Sequence, residues 1–309
     1  MRGKKVHKNQ MSLFDFYNYE ETFNTYLNES NSQKFEDFHK IIGQGYTTKT
    51  IKSGEQFEVE IYPHFKKPLE NYLAKTIITK QPSSKEQKNL NNKNSRKKLE
   101  RLIHCNFGVD DYWCTYTFND DNNPENLQKA RQLFKNAIKC INRKRKKLNF
   151  DNAKYIYVIE KGKKGRYHIH FVIDNALPAS ELAKFWKHGY NDVKKINYRG
   201  DDDLIAIAKY MHKDPQVYPD FNDGENENVR RWDSSKGNLK QPIERKNRSV
   251  FSKKKVIQMS LNQNNIQAEL EKQYQRYDFK EAQVRFNEFN GLFYIHARMQ
   301  TKKNQRIRI

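Results

Sequence analysis

Alternating apolar positions open the readable part of the chain. Thr50-Ile51-Lys52 and Gln56-Phe57-Glu58-Val59-Glu60-Ile61-Tyr62 flank Ser53-Gly54, and their period of two predicts a β-hairpin. Pro82-Ser83-Ser84 breaks the chain. Residues 85–101, rich in Lys, Asn and Arg, are expected as a helix with few apolar anchors, either a solvated surface or an extra nucleic-acid contact. Tyr112-Trp113-Cys114-Thr115-Tyr116-Thr117-Phe118 is almost wholly β-branched and aromatic and predicts a strand. Asn119 to Pro124 end it and start a helix, which carries Leu127, Ala130, Phe134, Ile138 and Ile141 on one face at spacings of three or four. Two strands follow, over 154–160 and 166–173, joined by Lys161-Gly162-Lys163-Lys164-Gly165, whose glycines permit positive φ. A short helix over 180–188 is stopped by Gly189, residues 193–198 predict another strand, and Asp202 or Asp203 caps a helix reaching Lys213. Strand, helix, strand, strand, helix, strand is the order of an α+β fold with a ferredoxin- or RRM-like antiparallel sheet, here followed by one more helix. Beyond Pro215 the regularity fades: 216–245 reads as loop, 267–289 as a helix packing through Leu270, Tyr274, Tyr277 and Ala282, and 302–309 as a basic arm. The expected organisation is an accessory region over 1–103, a core domain over 104–215 and a loop-rich, helical basic region over 216–309.

Composition narrows the partner. The 309 residues include 59 Lys and Arg against 37 Asp and Glu, a formal net charge of +22. Such a surplus repels itself in isolation and points to a polyanion, nucleic acid foremost and a membrane surface second. No apolar run approaches the length of a membrane span, and the start, MRGKKVHKNQ, lacks the apolar stretch of a secretory signal. Cys105, Cys114 and Cys140 form no CxxC pair, which fits a reducing cytosol and argues against a disulfide framework or zinc ribbon. No GxxxxGK[ST] loop is present, excluding the common phosphate-loop NTPases. The many Tyr and Phe beside Lys and Arg can stack on unpaired bases, although most are expected in the core.

The candidate chemistry is concentrated between Glu160 and Lys213. On a strand His168 and His170 share one face while Ile169, Phe171 and Ile173 take the other. If the intervening turn folds the two strands antiparallel, Glu160 lies opposite His168, with Val158 opposite His170. Two imidazoles and a carboxylate suit Mn²⁺ or Mg²⁺ with positions left for water and substrate. The plainer alternative is a pair of surface histidines and a solvated glutamate. Tyr210 lies beside the apolar stripe Leu204, Ile207, Ala208, Met211, with Lys213 one turn on. A phenol activated by a metal and a nearby ammonium can act as a nucleophile; otherwise Tyr210 is a core-rim tyrosine. Arg143, Lys144, Arg145, Lys161, Lys163, Lys164 and Arg166 are the expected contacts to a phosphate backbone.

Taken in order, the strand 112–118, the Glu160 and His168-Ile169-His170 group, and Tyr210-Met211-His212-Lys213 resemble the motifs of the HUH endonucleases of the rolling-circle replication initiator (Rep) family. The resemblance covers about residues 108–215. Ile51 to Glu55 and Ser235 to Pro242 are similar to stretches of plasmid- and phage-type members. It implies the HUH endonuclease fold, a divalent metal on Glu160, His168 and His170, Tyr210 as nucleophile and Lys213 as its partner. The implied activity is site-specific nicking and rejoining of single-stranded or melted origin DNA through a 5′-phosphotyrosine bond. Host helicase and polymerase are the implied partners, in the cytoplasm of a bacterial cell. Position 214 is aspartate and no second tyrosine follows Tyr210 by one turn, so the chain resembles the single-tyrosine type. A mobilisation relaxase or transposase of the same chemistry, and a non-catalytic RRM-like nucleic-acid-binding module, stay open. A histidine-triad hydrolase would want a histidine where Val172 stands.

Overall fold

A computed structural model describes residues 42–65, 85–162, 165–197, 203–211, 232–248, 250–287 and 291–302. In chain order the elements are β1 (Ile42–Ser53), β2 (Gln56–Phe65), α1 (Lys85–Asn106), β3 (Tyr112–Phe118), α2 (Leu127–Lys147), β4 (Tyr155–Lys161), β5 (Tyr167–Ile173), α3 (Ala179–Lys184), β6 (Gly189–Lys195) and α4 (Asp203–Met211). There follow β7 (Asp233–Ser234), β8 (Ile243–Arg248), α5 (Lys253–Leu261), α6 (Gln263–Gln273), β9 (Tyr277–Asn287) and β10 (Leu292–Thr301). The fold is α+β, with two five-stranded antiparallel sheets. The chain divides into two compact units, one of Met1–Asn94 with Pro242–Ile309, the other Ser95–Gln241. No helix among the described residues is long and apolar enough to cross a membrane.

In the first unit the strand order is β8-β1-β2-β10-β9. The expected hairpin forms, with Gly54 in its turn at a φ of 59°. Phe57, Val59, Ile61, Ile295, Ala297 and Met299 make one apolar face, packed with Val256, Met259, Ile266 and Leu270 of α5 and α6. This replaces the expected pair of separate flanks. The hairpin leaves two unpaired edges, and strands from the far end of the chain cover both. The helix expected over 267–289 also needs correction, since it ends at Gln273 and β9 follows. The register shifts opposite Arg298 and Met299, leaving Lys280 as the extra residue on β9. The bulge switches the inward positions from Tyr277 and Phe279 to Ala282 and Val284, so an unbroken alternation never appears in the sequence.

The second unit has strand order β6-β3-β5-β4-β7. Its four long strands lie fourth, first, third, second, as a βαββαβ sheet requires. Tyr116, Tyr157 and Phe171 on one face pack against Phe134, Ile138 and Ile141 of α2 and Leu182 of α3. On the other face Ile156, Val158 and Val172 meet Leu99, Leu102 and Ile103 of α1 and Leu204, Ala208 and Met211 of α4. The strand expected over 193–198 begins earlier, at Gly189, and the preceding helix ends at Lys184. Gly189 holds a φ of 148°, and a Cβ there would lie 2.3 Å from the Thr117 carbonyl oxygen. The glycine therefore lets β6 close against β3 instead of capping a helix.

Candidate active site

The turn between β4 and β5 returns the chain antiparallel, pairing Glu160 with His168 and Val158 with His170. β5 in turn pairs with β3, setting Thr115 against His170 and Thr117 against His168. Because cross-strand partners share a face, Thr115, Thr117, Glu160, His168 and His170 all project from one side of the sheet. The opposite side is the closed aromatic core.

Each imidazole is held at the same atom. Thr115 Oγ1 lies 3.0 Å from His170 Nδ1, and Thr117 Oγ1 lies 3.0 Å from His168 Nδ1. With Nδ1–H donating to threonine, Nε2 is the nitrogen of each ring that carries the lone pair and can face a metal or accept a proton. His170 Nε2 lies 3.6 Å from Glu160 Oε2. Gly162 clears space for the other ring, since a Cβ there would sit 2.7 Å from His168 Nε2. Its contribution is room; it is Gly165 that takes the positive φ, at 79°.

α4 delivers Tyr210. Leu204, Ala208 and Met211 are buried against the sheet, which fixes the helix and leaves Tyr210 42 % exposed at its side. The Tyr210 hydroxyl lies 3.4 Å from His170 Nε2, with its ring edge-on to the imidazole at 5.0 Å. Trp113 completes the group, parallel to the His170 ring at 5.8 Å and edge-on to Tyr210 at 5.6 Å. Tyr116 and Tyr157 make a useful contrast. They lie in the closed core, where burial pushes both phenols upward in pKa, Tyr157 also through the nearby Asp233 carboxylate. A core phenol so placed has neither access nor ionisation on its side.

The donor set and its tautomers suit a divalent cation such as Mn²⁺ or Mg²⁺. The rings of His168 and His170 stand parallel with centroids 6.4 Å apart, so His168 would have to swing for both nitrogens to share one ion. Among the described residues, acid and histidine ligand atoms mutually within 4.8 Å occur elsewhere, at Glu58, Glu60 and His296.

The residues expected along a phosphate backbone separate into different roles. Arg145 is 3 % exposed; its guanidinium donates to both oxygens of Asp174, at 2.7 and 2.8 Å, and to the Asp151 carbonyl at 2.6 Å. It anchors α2 to the loop after β5 and is withdrawn from that set. The basic run gives no sign of which member turns inward, but the helical face that carries Ile138 and Ile141 also carries Arg145. Arg166 grips Asp120 through two bonds of 2.6 and 2.8 Å. Lys144 stands 3.9 Å from Glu181, Lys161 lies over the Tyr167 ring at 5.7 Å, and Arg143 lines a surface cleft with Lys139 and Lys146. Lys163, Lys164 and Lys213 lie outside the described residues. The structure adds Trp113, Thr115 and Thr117, which sequence reasoning does not mark as site residues. Their signal is the Thr-x-Thr alternation of a strand that the βαββαβ order sets beside His-x-His.

Sheet order and face composition together define a fold consistent with the Rep/HUH type. Residues 111–215 match the family model described as replication-associated protein ORF2, a rolling-circle replication initiator family, and the chain fits a Rep-type protein. No curated protein and no solved structure gives a significant match.

Proposed function

We propose that the protein initiates rolling-circle replication by nicking and rejoining single-stranded origin DNA through a covalent bond to Tyr210. One observation carries the reading: an accessible phenol 3.4 Å from His170 Nε2, on the sheet face shared with Glu160 and His168. In the step, the Tyr210 oxygen bonds to phosphorus as the bond from phosphorus to the 3′ oxygen breaks. The phenol proton leaves at the atom facing His170, and the departing 3′ oxygen takes up a proton. Attack by the same 3′ hydroxyl reverses the exchange and reseals the strand. A divalent ion, when bound to Glu160, His168 and His170, adds positive charge at the phosphate oxygen and stabilises the developing charge. Lys213 is the expected cation beside the phenol. Host helicase and polymerase would extend the free 3′ end.

A second reading has its own support. Tyr210, His170 and Glu160 are arranged in file, at 3.4 and 3.6 Å, an order that suits the imidazole as proton acceptor with the carboxylate behind it. The test is incubation with single-stranded DNA, followed by denaturing electrophoresis and mass spectrometry of the adduct. Wild type forms an adduct at Tyr210, and Tyr210→Phe binds DNA without forming it. An adduct that survives in Tyr210→Phe ends the proposal. Loss of the adduct in EDTA, with recovery on adding Mn²⁺, selects the metal reading; an adduct undiminished by EDTA selects the imidazole.

A further inference from the structure

The edge of the same sheet holds a feature that nicking alone does not require. Tyr190 on β6 is 68 % exposed, among the most solvent-accessible large apolar side chains described. Its register places it opposite Thr117 of β3, and Thr117 stands opposite His168, which pairs with Glu160. Four strands thus contribute one transverse row: Tyr190, Thr117, His168, Glu160. With neighbouring strands about 4.8 Å apart, Tyr190 is rooted roughly 10 Å from the His168 backbone.

The face assignment is independently fixed. Asn191, the next residue, turns the other way and its side-chain amide donates to the Ala183 carbonyl of α3, while Val193 packs on the aromatic core. Lys194 shares Tyr190's face, opposite Trp113, and its ammonium pairs with Asp192 at 2.6 Å. The backbone beneath Tyr190 is held firmly. Asn119 N–H donates to the His188 carbonyl at 3.0 Å, Trp186 Nε1–H donates to the Thr117 carbonyl at 3.1 Å, and Gly189 permits the close approach. A rigid base under an exposed ring keeps the entropic cost of stacking low.

We propose that Tyr190 is a stacking platform for a base of the single-stranded DNA, setting which nucleotide lies beside the nucleophile. The inference rests on reading this face as the nicking site. The occupant is unpaired nucleic acid: the chain carries a net charge of +22, and a lone exposed aromatic face on a firm backbone suits a base. In this arrangement the phosphate next to the stacked base comes to lie over the row, toward Tyr210.

The test measures binding of a fluorescent, mixed-sequence single-stranded DNA oligonucleotide in EDTA, alongside adduct formation by the same proteins. Tyr190→Ala should weaken binding about tenfold, with the salt dependence unchanged because no phosphate contact is lost. Tyr190→Phe should bind as wild type, since the ring face does the stacking. Wild-type binding by Tyr190→Ala overturns the proposal, as does an equal loss in Tyr190→Phe, which would assign the effect to the hydroxyl. Either result with wild-type adduct formation intact leaves the nicking reading standing. Absence of both binding and adduct in wild type removes the nicking reading as well.

Discussion

In the first unit Glu58 and Glu60, two apart on β2, meet His296 of β10; in the second, His168 and His170, two apart on β5, meet Glu160 of β4. The residue types are the same and the strand geometry is alike, yet the settings differ. Glu58 and Glu60 are 4 % and 3 % exposed, and His296 Nε2 is bonded to Glu58 at 3.0 Å. In the second unit the rings stand apart, each tied at Nδ1 by a threonine, with an exposed tyrosine against one of them. Close convergence of ligand atoms is therefore a poor guide to reactivity here. The reactive arrangement is the one whose imidazoles are oriented from behind at Nδ1 and whose Nε2 side meets a solvent-accessible hydroxyl.

The sharpest way to break this comparison is to remove one histidine from each sheet. His170→Ala should reduce adduct formation by about a hundredfold or more, as expected for loss of a ligand or a general base. Higher Mn²⁺ should restore part of it under the metal reading. His296→Ala should leave adduct formation near wild type at moderate temperature and lower the melting temperature, because buried Glu58 loses a partner. Equal loss of nicking in both variants would mean that the two sheets do not divide reaction from scaffold.

Arg145 and Arg143 extend the contrast to the helix. Arg145→Ala leaves Asp174 without its bidentate partner and should cost about 3–5 kcal/mol of stability, read from denaturant unfolding. Arg143→Ala should leave stability nearly unchanged and lower the salt slope of DNA binding by about one unit. A stable Arg145→Ala protein with weakened DNA binding would return that residue to the phosphate surface.

These cases show how much is legible in the sequence. Glu160, His168 and His170 lie within one hairpin, so strand alternation and a single turn determine their common face. Tyr210 needs only helical spacing to be placed beside an apolar stripe. His296 is 238 residues from Glu58, and no local period links them. β9 is obscured by its own bulge, which changes the parity of its inward residues midway. Arg145 sits in an unbroken basic run from Arg143 to Lys147, where charge alone cannot distinguish a solvated head from one turned into a carboxylate. Gly189 reads as a helix stop because the contact that requires it, with Thr117 and Asn119, lies on another strand and the residue after it.

The smallest expected effect concerns the threonines, and it separates orientation from chemistry. Thr115→Val keeps the shape of the side chain and removes the oxygen that holds His170 Nδ1. The ring then loses its preferred tautomer and its fixed rotation, and outer partners of this kind contribute about 10- to 100-fold in metal affinity. Mn²⁺ titration by calorimetry should show that weakening, and adduct formation at saturating Mn²⁺ should recover toward wild type. Thr117→Val should act in the same way through His168. Thr115→Ser, which keeps the hydroxyl, should rescue the affinity that Thr115→Val loses. Unchanged Mn²⁺ affinity in both valine variants would mean that the threonines only fill space and that the imidazoles are oriented by the Trp113 and Tyr210 rings instead. A shift in the pH profile of adduct formation in Thr115→Val, with metal affinity unaffected, would favour His170 as the proton acceptor, since a hydroxyl at Nδ1 governs the basicity of Nε2 whichever partner that nitrogen faces.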